Sequence, residues 1–194
     1  MLKIILASNS KVRKKILDEN SIESEVFPSN VDEDSAKESM LQENIGPEQI
    51  SKNLAELKAN KVSLKFNSDI VIGADSVIDV DGELISKPTN RIEALQILKK
   101  LNGKKHYLIS SVCISRNGSM IWNYTDKAIL TMKKFNVEEL ENYLSKISDE
   151  LLYAYNVYQI EGEGRNLFLK IEGDKNTIMG LPITKIKEYL RNLE

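Results

Sequence analysis

Short apolar segments alternate with amphipathic helical patterns along most of the chain, and this alternation is what most constrains the fold. Continuous apolar runs predict buried strands at 3–7 and 69–74. Apolar residues at helical spacing predict helices at 11–20 and 47–66. Strands and helices in alternation are typical of an α/β protein whose helices cover a sheet.

A hairpin signal modifies that picture, because Arg116-Asn-Gly118 joins two further predicted strands at 106–115 and 120–132. The sheet is therefore expected to be mixed rather than purely parallel. The remaining predicted elements are a strand at 25–28, a long polar loop at 30–46 with room for one helical turn, and two short extended pieces at 77–84. They continue with a helix capped by Asn90 with Ile92 facing inward, a helix at 137–147, a strand at 167–171 and a last helix opened by Pro182.

The composition excludes several kinds of chemistry. The 194 residues carry 27 Lys+Arg against 29 Asp+Glu, a net charge of −2, which argues against a nucleic-acid-binding surface. One cysteine and one histidine exclude multi-cysteine zinc sites and multi-histidine metal sites. We interpret Cys113 as a core residue and His106 as a structural or exposed residue rather than a catalytic one. The apolar stretch 2–7 is too short for an export signal or a membrane span. We expect one cytoplasmic domain over 1–194.

The turn between the first strand and the first helix is a candidate anion site. Ser8 and Ser10 lie in this turn, and Ser10 is a plausible helix N-cap whose neighbouring N–H groups suit an anion. The first helical turns carry Lys11, Arg13, Lys14 and Lys15, although cations at a helix N-terminus are unfavourable. Either an anion binds there or the residues form a solvated basic face.

Carboxylates supply the second candidate. Asp75 closes the apolar run 70–75 and is expected at the end of a buried strand, where many α/β active sites lie. Asp32 and Glu33 lie in the predicted acidic loop and could add metal ligands, while Lys87 follows nearby. Carboxylates that hold a divalent cation, with basic residues that neutralise phosphate oxygens, suit phosphate chemistry.

Six short motifs occur in an order that resembles the Maf family, the septum-formation inhibitor proteins. The motifs are Ile5-Leu-Ala-Ser-Asn-Ser followed by Arg13, Val31-Asp-Glu33, Leu54-Ala-Glu-Leu-Lys58-Ala, Val71-Ile-Gly-Ala-Asp75-Ser, Gly82-Glu-Leu-Ile-Ser-Lys87-Pro88, and Ile171-Glu-Gly-Asp with Gly180-Leu-Pro182. Together they span essentially the whole chain. Each is short, so the specificity of the resemblance lies in their number and order.

The resemblance implies a fold and an activity. The expected fold is a mixed twisted sheet flanked by helices, with a deep cleft between two lobes, related to the inosine-triphosphate pyrophosphatase fold. Members hydrolyse nucleoside triphosphates to the monophosphate and pyrophosphate, need a divalent cation such as Mg²⁺ or Mn²⁺, and are commonly dimeric. The matching positions imply a role for each site residue. These are proton acceptor for Asp75, metal ligand for Glu33 and Asp75, and phosphate contacts for Ser8, Arg13, Lys58 and Lys87.

Departures from the family pattern concern base specificity. Many members carry two adjacent arginines where this chain has Val12-Arg13, and the members that act on dTTP and UTP carry Thr and Gln where this chain has Ser76 and Glu161. The branch that acts on 7-methyl-GTP resembles this chain in having that Glu and in lacking the first arginine. An ionised carboxylate only accepts hydrogen bonds, so it suits guanine or cytosine donors and disfavours uracil or thymine. The alternative is that Glu161 points to solvent.

Two other classes of function stay open at this point. A nucleotide-binding regulator without turnover would explain Val12 and the Tyr153-Ala-Tyr-Asn156 stretch, which stands where the pyrimidine-acting members have Asp-Lys-Ala-Gly. A purely structural interaction protein would leave the matching Ser, Arg, Asp and Lys positions without a shared purpose.

Overall fold

The computed structural model describes residues 3–193, apart from the side chains of Ala154 and Tyr155. This description leaves out Met1, Leu2 and Glu194 of the expected domain. It also leaves out two side chains of the stretch 153–156, which departs from the family pattern. The elements are β1 (Ile4–Leu6), α1 (Lys11–Glu19), β2 (Glu25–Val26), α2 (Glu33–Gln42), α3 (Pro47–Ser63), β3 (Ile70–Val80), β4 (Glu83–Ile85), α4 (Arg91–Leu101), β5 (Lys105–Arg116), β6 (Ser119–Met132), α5 (Val137–Ser145), α6 (Asp149–Tyr155), a 3₁₀ helix (Glu163–Leu167), β7 (Phe168–Glu172), α7 (Lys175–Ile178) and α8 (Ile183–Arg191).

The strands form one seven-stranded mixed sheet in the order β2-β1-β3-β5-β6-β7, with β4 paired to β3. β1 is parallel to β2 and to β3, whereas β4 runs antiparallel to β3 and β7 antiparallel to β6. The predicted hairpin joins β5 to β6, with Asn117 and Gly118 at φ angles of 52° and 78° that this turn requires. The expected mixed α/β fold is confirmed.

The chain divides into two compact units. The first comprises Met1–Val77, Ile109–Lys127 and Asp174–Glu194. Its strand β1 sends successive side chains to opposite faces of the sheet, because side chains alternate along a strand. Leu6 packs in a cluster with Ile16 of α1 and Ile186 of α8, while Ile5 packs with Val62 of α3. Helices therefore cover both faces of the sheet in this unit.

The second unit comprises Ile78–Leu108 and Ala128–Gly173. Helices α4 and α5 pack together, and Arg91 at the start of α4 donates to the carbonyls of Leu144 and Ile147, both at 2.8 Å. His106 is fully buried here, with its Nε2 2.9 Å from the hydroxyl of Tyr158. The unit has a polar cluster inside its core, consistent with a structural role for His106. That residues 1–194 act as one domain stays a prediction.

Several sequence expectations were wrong. Residues 33–42 form a complete helix rather than a loop, with no buried residue and hence no apolar periodicity to reveal it. Asp75 does not end its strand, because β3 continues to Val80 and places Asp75 in its middle. Ile92 does not face inward and is 74% exposed. The short helices α6 and α7 were not predicted.

Other local signals held. Ser10 and Asn90 cap α1 and α4 by accepting from the backbone N–H three residues on, and Cys113 is buried. Among the helices of residues 3–193, none combines the length and apolar character that crossing a bilayer requires.

Candidate active site

A buried ion pair between Lys58 and Asp75 forms the centre of the candidate site in the first unit. The Lys58 Nζ lies 2.9 Å from Asp75 Oδ1, and both side chains are 6% exposed. Lys58 comes from α3 and Asp75 from β3. A buried carboxylate needs an opposite charge and hydrogen bonds, because loss of water is costly for a charge. Lys58 provides both.

Gly73 explains why this helix and strand approach so closely. A Cβ atom at Gly73 would stand 2.3 Å from the carbonyl oxygen of Ala55 and 2.7 Å from the backbone nitrogen of Ala59. The backbone of α3 therefore lies directly against β3. The helix presents alanines at this contact, and the strand has no side chain there because the residue is Gly73. Lys58, next to Ala59, then reaches Asp75, which shares a strand face with Gly73.

Glu33 contributes a second carboxylate on the other side of the same ammonium. It begins α2, and its Oε1 lies 2.9 Å from Lys58 Nζ. Burial works to raise the pKa of Glu33, but the charge and hydrogen bond of Lys58, helped by Lys37, outweigh burial and lower that pKa. Asp32, the other candidate in this segment, instead caps α2 by accepting from the backbone N–H of Ser35 at 3.1 Å.

The Asp75 Oδ2 atom is buried without a hydrogen-bond partner, although its twin Oδ1 is bound to Lys58. A buried carboxylate oxygen without a donor is costly, so its presence indicates that another group binds there. Asp75 and Glu33 are hard oxygen donors of the kind that Mg²⁺ and Mn²⁺ take. No cluster of three or more His, Cys, Asp or Glu side chains suited to a metal occurs within residues 3–193. The donor pair fits a divalent cation that completes its shell with phosphate and water oxygens.

Arg13 is held by protein acceptors on three sides. Its Nε donates to the carbonyl of Gly180 at 3.0 Å, and its Nη1 donates to the carbonyl of Ala74 at 3.0 Å and to the Ser8 hydroxyl at 3.1 Å. The Nη2 donates to the Ser76 hydroxyl at 3.2 Å. Burial lowers the pKa of Arg13, but an arginine pKa is so high that the guanidinium stays charged. Four of its five N–H groups are thus used: two bind β3, one binds the segment before α8, and one binds Ser8 in the turn before α1.

Ser8 is fixed by two donors. Its hydroxyl oxygen accepts from Arg13 Nη1 and from the backbone N–H of Ser10, the latter at 3.2 Å. Both lone pairs are occupied, so the hydroxyl is left to donate its own proton. A donor held in this way suits a phosphate oxygen.

The Ser76 hydroxyl belongs to a chain of hydrogen bonds in which the donor of each bond is fixed by the next. Ser110 donates to the carbonyl of Thr177 at 2.7 Å, so Ser76, 2.9 Å from Ser110, must be the donor of that contact. Ser76 in turn accepts from Arg13. Asp75 and Ser76, as neighbours on a strand, point to opposite faces, so Asp75 meets α3 while Ser76 meets Arg13.

An open cavity of about 330 Å³ lies beside the turn between β1 and α1. Ser8, Ser10, Lys11 and Lys14 line it, together with acidic residues of α1. Lys14 pairs with Asp18 on the same helix, as a solvated basic face would. The cavity also offers lysines to an anion beside the start of α1, so both interpretations of this turn have support.

The other predicted residues lie elsewhere. Val12 is half-buried and packs against the apolar cluster of the first unit. Lys87 and Glu161 belong to the second unit, where both are exposed, Lys87 in the loop after β4 and Glu161 in the turn before the 3₁₀ helix. The contribution of these three residues to substrate binding stays a prediction.

Sequence reasoning missed Gly73, Ser110 and the carbonyl of Gly180. A glycine inside a strand pattern is a general sign of close backbone approach, and Gly73 shows that sign. Gly180 has a φ of 100°, and a Cβ there would lie 3.1 Å from the Ser76 hydroxyl. No local signal identifies Ser110, because its partners are far away in the sequence.

Comparison with known proteins adds independent findings. A family model described as Maf-like protein matches residues 3–193. A nucleoside triphosphate pyrophosphatase of Pelagibacter ubique is 73% identical over 188 residues, covering 97% of this chain and 96% of the relative. The nucleoside triphosphate pyrophosphatase of Caulobacter vibrioides is 40% identical over 188 residues, covering 97% of this chain and 94% of the relative.

A solved structure of the Ham1 protein of Staphylococcus aureus is similar to this chain with a TM-score of 0.52. The match covers 99% of this chain and 100% of that chain at 13% sequence identity. At such low identity the similarity shows the fold alone.

Proposed function

This chain belongs to the Maf family, and from that premise we propose that it is a nucleoside triphosphate pyrophosphatase. It hydrolyses the bond between the α- and β-phosphates, so that one water and one triphosphate give a nucleoside monophosphate and pyrophosphate. The observation that carries the proposal is the buried Asp75 carboxylate, whose Oδ2 has no partner although Lys58 binds Oδ1.

Asp75 is the proton acceptor in this proposal. Water attacks the α-phosphorus, a phosphorus–oxygen bond forms, and the bond to the leaving pyrophosphate breaks while Asp75 takes the proton of the water. A positioned general base of this kind contributes roughly 10²- to 10⁴-fold to the rate. Lys58 keeps the carboxylate oriented at 2.9 Å.

The remaining polar groups of the first unit position the triphosphate. Ser8 donates its free proton to a phosphate oxygen, and Arg13, whose guanidinium is fixed by Gly180, Ala74 and Ser76, supplies a stationary positive charge nearby. Lys87 adds a further phosphate contact, as the family resemblance implies. A divalent cation, Mg²⁺ or Mn²⁺, would be held by Glu33 and Asp75 and would neutralise charge on the phosphate oxygens.

Base preference is the finer part of the proposal. Glu161 is exposed in its turn, where a carboxylate is able to accept from guanine N1–H and N2–H₂ or from cytosine N4–H₂. We therefore expect a guanine-type nucleotide, such as one resembling 7-methyl-GTP, or a cytosine-type nucleotide, rather than dTTP or UTP. The proposal includes a homodimer, as the family resemblance implies.

The decisive experiment measures pyrophosphate release from a panel of triphosphates with Mg²⁺ or Mn²⁺. Asp75→Asn is expected to lower kcat by roughly 10²- to 10⁴-fold while the fold is kept. Asp79→Asn on the same strand is the matched control, since Asp79 caps the turn at Gly82 and its change should leave kcat within a few-fold. Nucleotide binding without pyrophosphate release would favour the regulator instead.

Glu161→Gln tests the base preference separately. Its amide adds a donor, so the ratio of kcat/KM for UTP or dTTP to that for guanine nucleotides should rise roughly tenfold or more. Glu163→Gln, two residues away and also exposed, is the matched control. An unchanged ratio would show that Glu161 does not contact the base.

A further inference from the structure

The Lys58 ammonium uses all of its donors within the protein. Its three N–H groups face Asp75 Oδ1 at 2.9 Å, Glu33 Oε1 at 2.9 Å and, more weakly, the carbonyl of Ala74 at 3.5 Å. Lys58 and Asp75 are each 6% exposed, so water screens their contact little, whereas Glu33 is 40% exposed and its contact with Lys58 is screened more. To contact a phosphate, Lys58 has to release at least one of these three oxygens.

The same carboxylates are the oxygen donors available to a divalent cation in the first unit. Lys58 occupies one oxygen of each, which leaves Asp75 Oδ2 without a partner and Glu33 Oε2 at 3.9 Å from Lys37. Lysine and a divalent cation therefore compete for one pair of anions. Repulsion between two cations a few ångströms apart is strong where water is largely excluded.

Charge balance leads to the same conclusion. Asp75 and Glu33 carry two negative charges, and Lys58 and Arg13 carry two positive charges close enough to interact with both carboxylates. Lys37, 3.9 Å from Glu33, adds a third positive charge. A site whose cations already outnumber its anions attracts Mg²⁺ or Mn²⁺ only weakly. A triphosphate changes this balance, because it brings several negative charges, new metal ligands and a new partner for Lys58.

We propose that Lys58 is a built-in counter-ion that keeps a divalent cation from binding tightly to Glu33 and Asp75 until a nucleoside triphosphate is present. The inference rests on the proposed function and adds an order of events to it. Nucleotide binding draws the ammonium toward the phosphates, and this frees one oxygen of each carboxylate at the moment when metal and water need them.

Mn²⁺ binding to the protein without turnover tests the inference, with free Mn²⁺ measured by electron paramagnetic resonance. The wild-type protein should bind Mn²⁺ weakly alone, and roughly 100-fold more tightly with an α,β-methylene triphosphate analogue, after correction for Mn²⁺ bound by the analogue alone. Lys58→Met keeps the length of the side chain without its charge and should raise the Mn²⁺ affinity of the nucleotide-free protein roughly tenfold or more.

Two controls locate the effect. Lys61→Met removes an exposed lysine one turn further along α3 and should leave Mn²⁺ affinity unchanged. Asp75→Asn added to Lys58→Met should abolish the gain. If Lys58→Met does not fold, Lys58→Gln, which keeps a hydrogen-bond donor without the positive charge, takes its place in the same titrations.

Equal Mn²⁺ affinity with and without the analogue would overturn the inference, and so would a folded Lys58→Met protein that binds Mn²⁺ no more tightly than wild type. These outcomes are independent of pyrophosphate release. A protein that releases pyrophosphate but fails the Mn²⁺ test contradicts the inference alone. A protein that shows Lys58-dependent Mn²⁺ affinity but hydrolyses no triphosphate contradicts the proposed function.

Discussion

Two polar clusters that contain buried groups, one in each unit, compensate for the loss of water in opposite ways. In the first unit, Lys58 binds Asp75 and Glu33 at 2.9 Å each, so opposite charges compensate one another. In the second, His106 and Tyr158 lie 2.9 Å apart, and burial lowers the pKa of His106 to about 4 and raises that of the Tyr158 hydroxyl. The second cluster is therefore neutral at pH 7.

Each cluster also contains one buried atom without a partner, Asp75 Oδ2 in the first and His106 Nδ1 in the second. The difference lies in charge. A charged oxygen without a donor is able to hold a cation or accept a proton, whereas a neutral ring nitrogen among aromatic rings mainly costs stability. Burial of a polar group alone therefore does not indicate function, and the compensating charge around it distinguishes the two clusters.

Gly73→Ala should break the charged cluster and give the largest effect on stability. The new Cβ would overlap the backbone of Ala55 and Ala59, with 2.3 Å to the nearest atom. We expect a loss of about 3 kcal/mol in the free energy of unfolding. We also expect a fall of roughly 10²-fold in kcat, because Lys58 and Asp75 are displaced from one another. Denaturant unfolding and pyrophosphate release measure the two effects.

Gly46→Ala is the control, because a Cβ at Gly46 meets nothing within 4 Å and this residue precedes the same helix. Its cost should stay below about 1 kcal/mol, with kcat unchanged. A Gly73→Ala protein as stable and active as wild type would contradict the close helix–strand contact.

The neutral cluster should make the free energy of unfolding depend on pH between about 4 and 6.5. The pKa of His106 is about 4 in the folded protein against 6.5 ordinarily, so between these values the unfolded chain binds a proton that the folded chain does not. The stabilising contribution is fully present above pH 6.5 and is lost as the pH falls to 4. The loss in free energy of unfolding should be on the order of 3 kcal/mol.

His106→Gln removes the titrating group, and the slope of unfolding free energy against pH between 6.5 and 4 should become shallower than in wild type. Kinetic constants at pH 7.5 should change far less than in Asp75→Asn, because His106 lies in the second unit and stays neutral. Parallel slopes for the two proteins would show that His106 is not buried in its neutral form.

Ser76→Ala should give the smallest of these effects. It removes the acceptor of Arg13 Nη2 and the donor to Ser110, so we expect a loss of about 1 kcal/mol in unfolding free energy. Ser76→Thr keeps the hydroxyl and should retain most of that stability. Equal losses of unfolding free energy in both variants would mean that the hydrogen bonds of the Ser76 hydroxyl do not contribute to stability.

Much of the fold was predictable because its signals are local. Apolar runs located β1 and the first half of β3, and the Asn117-Gly118 turn fixed the hairpin. The α2 helix was not predictable in this way, because none of its residues is buried and its acidic sequence resembles a loop. Ile92, expected to face inward, is 74% exposed, since helical spacing does not show how wide the covered face is.

The candidate site was predictable as a set of residues and not as an arrangement. The family resemblance singled out Asp75, Glu33, Lys58 and Arg13, and the structure brings these four together in the first unit. Lys58 and Arg13, expected to contact phosphate, bind oxygens of the protein in this structure, and their phosphate contacts stay predictions.

The sequence by itself determined the chemical types at the site, the apolar run that leads to Asp75 and the Ser10 cap of α1, since each depends on residues only a few positions apart. Only the tertiary structure decided which charges meet. Lys58 and Asp75 are 17 residues apart, and Arg13 and Gly180 are 167 apart. Their contacts depend on how closely α3 lies against β3, and the absence of a side chain at Gly73 sets that distance.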